Sequence, residues 1–275
     1  MTVAPEAELE PQEAEEPDVV VPTSAEETIQ AFGDGDEVTV MGGGTILMPD
    51  IAHGRLKPRR VLMLARAGLD YVQDDGATLK IGAATPVAKL QDAPEPLGAA
   101  ARSVGDHEIR AQATIGGNLC AGPGSGFPRG DLQAALIALD AYVRSAGPGG
   151  ERTEPVDKFL VANHGPRLVM EVEIEARDRR GAFAALTRPH AHSYTALAVA
   201  ATASSSGSDL RVAVVGAGPY AVRLRSVEAG GLNGDPAAAL DHVELQDDAL
   251  ASAWYRQRML PVLVRRVLGE LKGAS

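Results

Sequence analysis

Short apolar runs separated by glycine and proline dominate the first two thirds of the chain. Thr23–Phe32 reads as a helix, capped by Thr23 or Ser24 with Glu26 or Glu27 three residues on. Val38–Met41 is a buried-strand run that ends at Gly42-Gly-Gly-Thr45, and residues 46–53 suggest a helix beyond it, with Pro49 confined to its first turn. Arg60–Leu64 and Thr78–Ile81 read as strands, Pro86–Leu90 starts a helix, and the Ala-rich stretch 96–104 is helical. Asp131–Ala141 carries Leu132, Ala135, Leu136 and Leu139 on one helical face. Gly147–Gly150 is a turn. Beyond Pro166 the pattern changes: Leu168–Ile174 alternates as a strand, Ala182–Leu186 is a second strand and Leu210–Val215 a third. Tyr194–Ala203 reads as a small-residue helix, and Leu250–Leu271 has apolar residues at helical spacing.

These elements predict an α+β fold. At roughly 100–200 residues per domain, 275 residues suggest two domains. The boundaries expected are an acidic, disordered tail over 1–18, a first domain over 19–166, and a smaller α+β domain over 167–275 with a three-stranded antiparallel sheet and helices. The tail is expected because Glu6, Glu8, Glu10, Glu13, Glu15, Glu16 and Asp18 alternate with Ala and Pro, and so little apolar surface cannot offset the entropy of ordering.

Charge and cysteine count narrow the function. A net charge of −11 argues against nucleic acid as a partner. The single cysteine, Cys120, rules out an intrachain disulfide and a cysteine-held iron–sulfur cluster within this chain. No stretch has the length of a transmembrane span, and no basic-then-apolar leader opens the chain, so a cytoplasmic protein is expected.

The chemistry concentrates in two loops. Pyrophosphate needs several donors close together, and glycine lets backbone N–H groups approach it. Val38–Met41 running into Gly42-Gly-Gly-Thr45 suits that geometry, although a plain flexible turn reads equally well. Ala113-Thr-Ile-Gly-Gly-Asn-Leu119 adds a second glycine pair flanked by a hydroxyl and an amide. Two such loops can grip one dinucleotide from both sides. Asp131 is suited to accept a hydrogen bond from a ribose or ribityl hydroxyl, or to cap the helix that follows it.

Gly42-Gly-Gly-Thr-Ile-Leu-Met-Pro49, Leu79-Lys-Ile-Gly-Ala-Ala-Thr85, Ile109–Leu119 and Asp131–Ala141 resemble the flavoprotein subunits of molybdenum hydroxylases, the family of xanthine dehydrogenase and aerobic carbon monoxide dehydrogenase. Val222–Glu228 and Tyr255–Leu268 resemble that family's closing segments, so the likeness spans about residues 20–272. It implies a two-lobed PCMH-type FAD-binding domain followed by the smaller α+β domain. It also implies an FAD site made by Val40, Met41, Gly42, Gly43, Gly44, Thr45, Ile46 and Leu47 in the first loop. Val104, Gly105, Ala113, Thr114, Ile115, Gly116, Gly117 and Asn118 form the second part of that site. Asp131 is assigned to the ribityl region, and Leu168 and Val169 to the flavin ring, with ordinary core packing as the alternative for these two. No catalytic acid or base and no metal ligand is expected in this chain. FAD would accept electrons from iron–sulfur clusters and pass them to an external acceptor. The implied partners are a small 2Fe–2S subunit and a large molybdopterin subunit.

Two departures stand out. The Cys120–Gly130 connection is longer than in many relatives, with Cys120 expected as a structural thiol. Ala184 and Ala185 stand where a basic residue near the flavin is often found, with Arg188 nearby. A scaffold subunit that has lost FAD is the rival function. Val212-Ala-Val-Val-Gly-Ala-Gly-Pro-Tyr-Ala221 also fits a Rossmann fingerprint at Gly216 and Gly218, but a turn-rich stretch replaces the expected second strand. His190 and His192 lack a recognisable third ligand. Ser125 lacks the frame of a hydrolase elbow. Arg256, Arg258, Arg265 and Arg266 read as a docking face or a solvated stripe.

Overall fold

The computed structural model describes residues 16–122, 130–162, 165–175, 178–186 and 194–273. At the N-terminal end, β1 (Asp18–Val20) and β2 (Val38–Met41) flank β3 (Arg60–Met63) in a parallel sheet. Parallel strands need crossovers, here α1 (Ala25–Phe32) and α2 (Leu47–Ala52). α1 starts at a reciprocal cap: the Glu27 N–H donates to Ser24 Oγ at 3.1 Å, and the Thr23 N–H donates to Glu27 Oε2 at 2.7 Å. Residues 1–15 of the expected tail lie outside the described residues, but Asp18 already belongs to β1. Three register pairs with β3 hold it, and Val20 packs against the core of Phe32, Leu62 and Leu64.

The second sheet is antiparallel, with β4 (Val72–Asp74), β5 (Thr78–Gly82), β6 (Tyr142–Ala146), β7 (Arg152–Pro155) and β8 (Leu168–Glu175) in the order β4-β5-β8-β6-β7. β8 was expected to open the second domain, yet it is the central strand here. Leu79 pairs with Ile174 on one side and Val143 with Val172 on the other. Five short helices complete this part: α3 (Leu97–Ser103), α4 (His107–Gln112), α5 (Ile115–Leu119), α6 (Gln133–Ala138) and α7 (Val156–Val161). The helix expected over 131–141 is thus shorter, and Pro86–Leu90 makes only a 3₁₀ turn at Val87–Leu90.

The C-terminal sheet has four antiparallel strands, β9 (Arg179–Leu186), β10 (Leu197–Ser204), β11 (Arg211–Val215) and β12 (Val222–Arg223), in the order β12-β11-β10-β9. α8 (Arg225–Ala229) and the long α9 (Ala253–Gly273) follow. β10 corrects the helix expected at Tyr194–Ala203. Its alanines sit between two layers: Ala198 and Ala200 join the core around α6, while Leu197, Val199, Ala201 and Ala203 join the core around α9. Small residues let both layers approach, and that burial overrides the helical preference of alanine. Because the first of these cores also holds Leu136, Val143 and Val172, the two expected domains share one apolar interior.

α9 also corrects the arginine stripe. Arg265 and Arg266 are exposed, and Arg258 lies 4.6 Å over the Trp254 ring. Arg256 is buried: it forks onto both Asp248 oxygens at 2.8 Å and donates to the carbonyls of Gln246, Ala251 and Ala196.

Candidate functional site

β2 delivers the chain into the first glycine loop, and Gly44 takes a left-handed φ of 70° to turn it toward α2. The loop is half-buried from Gly42 to Leu47. The N–H groups of Gly43, Gly44, Thr45, Ile46 and Leu47 form no hydrogen bond with another described residue, and the α2 N-cap, Ile46, offers no side-chain acceptor. Half-buried amides left unpaired are costly, so this run of donors is suited to an anion.

The second loop is different. The Ile115 N–H donates to Thr85 O at 3.0 Å and the Gly116 N–H to Ala83 O at 2.9 Å. The Gly117 N–H donates to Thr114 Oγ1 at 3.1 Å, and the Asn118 N–H to Thr114 O at 2.8 Å. What was expected as an open loop is therefore the capped short helix α5. Its amides serve the fold, leaving the Thr114 hydroxyl proton and the exposed face of Gly117 to meet a ligand.

The two loops touch. A Cβ on Gly43 would stand 1.8 Å from the Gln112 carbonyl oxygen, and one on Gly42 would stand 2.5 Å from Thr114 Oγ1. Gly116 is packed as tightly, 2.8 Å from Ala83 O. Gly43 and Gly116 therefore bring main chain against main chain, and Gly42 makes room for the Thr114 side chain, roles in addition to the cofactor approach expected of them.

Val104 and Gly105 form the turn before α4. Gly105 has φ 43°, and Arg110 Nη1 pins the turn by donating to the carbonyls of Val104 at 2.9 Å and Gly105 at 3.0 Å. Arg110 was not singled out from the sequence, and the glycine-then-arginine spacing ahead of the second loop was its only signal. Ala113 is buried, and its carbonyl accepts from the Val87 N–H at 2.7 Å. Val40 and Met41 pack beneath the first loop, half-buried and buried respectively.

Asp131 is buried beside the second loop, but it does not cap α6. The N-cap is Leu132, which has no side-chain cap bond, and the Leu132 N–H donates to Asn118 Oδ1 at 2.9 Å. Burial pushes the Asp131 carboxyl up to about 6, and no cation is among the influences on it. Thr195 tempers that rise, although its buried Oγ1 makes no well-formed hydrogen bond. Gln133, also missed from sequence, is fully buried. Its Nε2 donates to Leu119 O at 2.8 Å and its Oε1 accepts from the Ala221 N–H at 3.0 Å, tying the second loop to the C-terminal sheet.

Leu168 lies in the core with Phe32 and Leu62, and Val169 in the core with Ile81 and Ile115. That is the core packing held open for them as an alternative. Ala184 and Ala185 are half-buried on β9. Cys120 has an exposed residue surface, but burial pushes its thiol up to about 11, which is compatible with the structural thiol expected of it. Most of the Cys120–Gly130 connection, Ser125, Arg188, His190 and His192 lie outside the described residues. The Rossmann reading fails on topology. β11 is antiparallel and is followed by a turn and β12 rather than a helix, and Gly216 is held at φ 86° against Ala196 O.

The described residues thus fit the two ends of a dinucleotide linkage. The unpaired N–H groups of the first loop are suited to an anion, and the buried Asp131 carboxyl, with no cation among the influences on it, is suited to accept from hydroxyl groups.

Comparison with known proteins shows the family and the fold. A family model described as the FAD binding domain in molybdopterin dehydrogenase matches residues 12–174. The 6-hydroxypseudooxynicotine dehydrogenase complex subunit alpha of Paenarthrobacter nicotinovorans is 28% identical over 281 residues, covering 92% of this chain and 93% of its own. The carbon monoxide dehydrogenase medium chain of Hydrogenophaga pseudoflava is 30% identical over 171 residues, 59% of this chain and 58% of its own. A solved structure of carbon monoxide dehydrogenase from the same organism, lacking the Mo-pyranopterin moiety of the molybdenum cofactor, superposes with a TM-score of 0.81 at 25% identity, covering 94% of this chain and 97% of that one.

Proposed function

Because this chain belongs to the family of FAD-binding domains of molybdopterin dehydrogenases, we propose that it is the FAD-carrying electron-transfer subunit of a molybdenum hydroxylase. The observation that carries the reading is the contact between the two glycine loops. It sets Gly42 against Thr114, and Gly43, where the unpaired N–H run begins, against Gln112 and Ala113.

The N–H groups of Gly43 to Leu47 would hold the pyrophosphate, with the Thr114 hydroxyl on the facing loop. Asp131 would accept from the ribityl hydroxyls. Gln133 and Arg110 hold the second loop and the Val104–Gly105 turn in place. FAD, when bound, supplies the redox chemistry, which belongs to the cofactor; the protein supplies binding, orientation and local polarity. None of these residues is assigned as an acid or base.

Electrons would reach this subunit from iron–sulfur clusters on another chain and leave to an external acceptor. One cysteine cannot hold a cluster, and among the described residues no group of His, Cys, Asp and Glu is placed to hold a metal ion. The partners proposed are a small 2Fe–2S subunit and a large molybdopterin subunit, assembled in the cytoplasm. No helix among the described residues is long and apolar enough to cross a membrane.

Purification of the native complex tests the assignment. A cluster-bearing small chain and a molybdenum-bearing large chain should copurify with this one, and the substrate of the large chain should bleach the flavin band. Quantitative recovery of this chain alone from its native source, with neither partner, would contradict it.

A further inference from the structure

We infer that Thr195 is a second ligand of the same cofactor, paired with Asp131 so that the two hold the polyol chain together at the junction between α6 and the C-terminal sheet. The inference rests on the FAD reading above and extends the site into a segment that sequence did not assign to it.

Both residues are 7% exposed. Thr195 Oγ1 is buried, near enough to the Asp131 carboxyl to act on it, yet makes no well-formed hydrogen bond, and no N–H donor other than its own amide acts on that carboxyl. A native fold rarely leaves a buried hydroxyl unpaired, and each such group needs an explanation. Here the hydroxyl is not free to seek another partner. The next residue is fixed at both main-chain atoms: the Ala196 N–H donates to Leu186 O at 3.0 Å, and Ala196 O accepts from the buried Arg256 Nε at 3.2 Å. The main chain next to Thr195 is therefore fixed, and its hydroxyl stays within reach of Asp131.

The pair has a clear chemical preference. A carboxylate only accepts, whereas a threonine hydroxyl both donates and accepts. Two adjacent hydroxyls of a ligand match that set, one donating to Asp131 and its neighbour exchanging with Thr195. The ribityl chain of FAD presents such a run. Asp131 precedes α6 and Thr195 leads into β10, so the cofactor would join the two parts of the chain that were expected to be separate domains.

The test uses the full chain, freed of FAD and titrated with FAD by flavin fluorescence. Thr195→Val keeps the shape and removes the hydroxyl. It should weaken FAD binding about tenfold. The melting temperature of the FAD-free protein should hold or rise, because an unpaired buried polar group has been removed. Thr195→Ser should restore affinity to within about twofold of wild type. In the Asp131→Asn, Thr195→Val double variant the fold-losses should fall short of the product of the single losses. Wild type that binds FAD beside an equally competent Thr195→Val variant would overturn the assignment of Thr195 alone. So would a Thr195→Val variant whose FAD-free form melts lower, because that marks a purely structural hydroxyl. Wild type that binds no FAD would overturn the functional reading, and this inference with it.

Discussion

Gly43 rests on the main chain of Gln112, so that a Cβ at Gly43 would stand 1.8 Å from the Gln112 carbonyl oxygen. Main chain cannot swing aside as a flexible side chain can. Gly43→Ala should therefore force the two loops apart, at a stability cost of about 1–3 kcal/mol. FAD affinity should fall by an order of magnitude or more, because the N–H run would no longer be held against the second loop. Fluorescence titration with FAD alongside thermal melting checks both effects. Wild-type affinity in this variant would show that the loop contact is not what forms the site.

Gly117→Val separates binding from folding. Gly117 is exposed, and among the described residues the only atom near its would-be Cβ is Thr114 Oγ1 at 3.0 Å. The fold should survive with little change in melting temperature, while FAD retention is lost. Unchanged FAD content in the purified variant would refute the placing of this loop beside the cofactor.

Asp131 gives the FAD-free protein a distinctive pH dependence. Burial raises its folded-state value from 3.8 to about 6, so between these pH values the folded chain holds a proton that the unfolded chain has lost. Stability therefore falls as pH rises through that window, by about 3 kcal/mol in total, and no further above it. Asp131→Asn should melt higher than wild type at neutral pH and converge with it below about pH 4. In wild type, FAD affinity should weaken as pH drops through about 6, because ligand hydroxyls bond the charged carboxylate more strongly. Melting curves that stay parallel across pH would show that Asp131 is not the buried acid without a cationic partner described here.

Gly218 tests the discarded dinucleotide motif. Among the described residues, nothing lies within ordinary contact of its would-be Cβ except Tyr220 O at 3.9 Å. Gly218→Val should leave both the fold and FAD binding nearly untouched. A large loss of FAD in this variant, measured by the same titration, would revive the Rossmann reading.

What could be read from sequence was local. β2 and α2 lie where the pattern put them, because a strand, a glycine turn and a helix are specified by consecutive residues. The capping of α1 by Ser24 and Glu27 is local in the same way. What escaped depends on distant partners. β8 reads as a strand, but only its pairing with β5 and β6 shows which sheet it joins. β10 is rich in alanine and reads as helix until α6 and α9 close over its two faces. Gln133 bonds a residue 88 positions away and Arg256 one 60 positions away, so neither can be told from a surface polar residue by its neighbours. At the site itself, the glycines were visible but their division of labour was not. Free N–H groups on one loop and spent ones on the other follow from tertiary hydrogen bonds to Ala83 and Thr85.

The central claim is that this chain binds FAD through the paired loops, and the most direct measurement is the flavin content of the purified full-length protein. Absorbance of the intact protein, and of the flavin released on denaturation, should show close to one FAD per chain, with reconstitution to the same level after stripping. A colourless protein that takes up no FAD on reconstitution would contradict the account and favour a scaffold that has lost its cofactor.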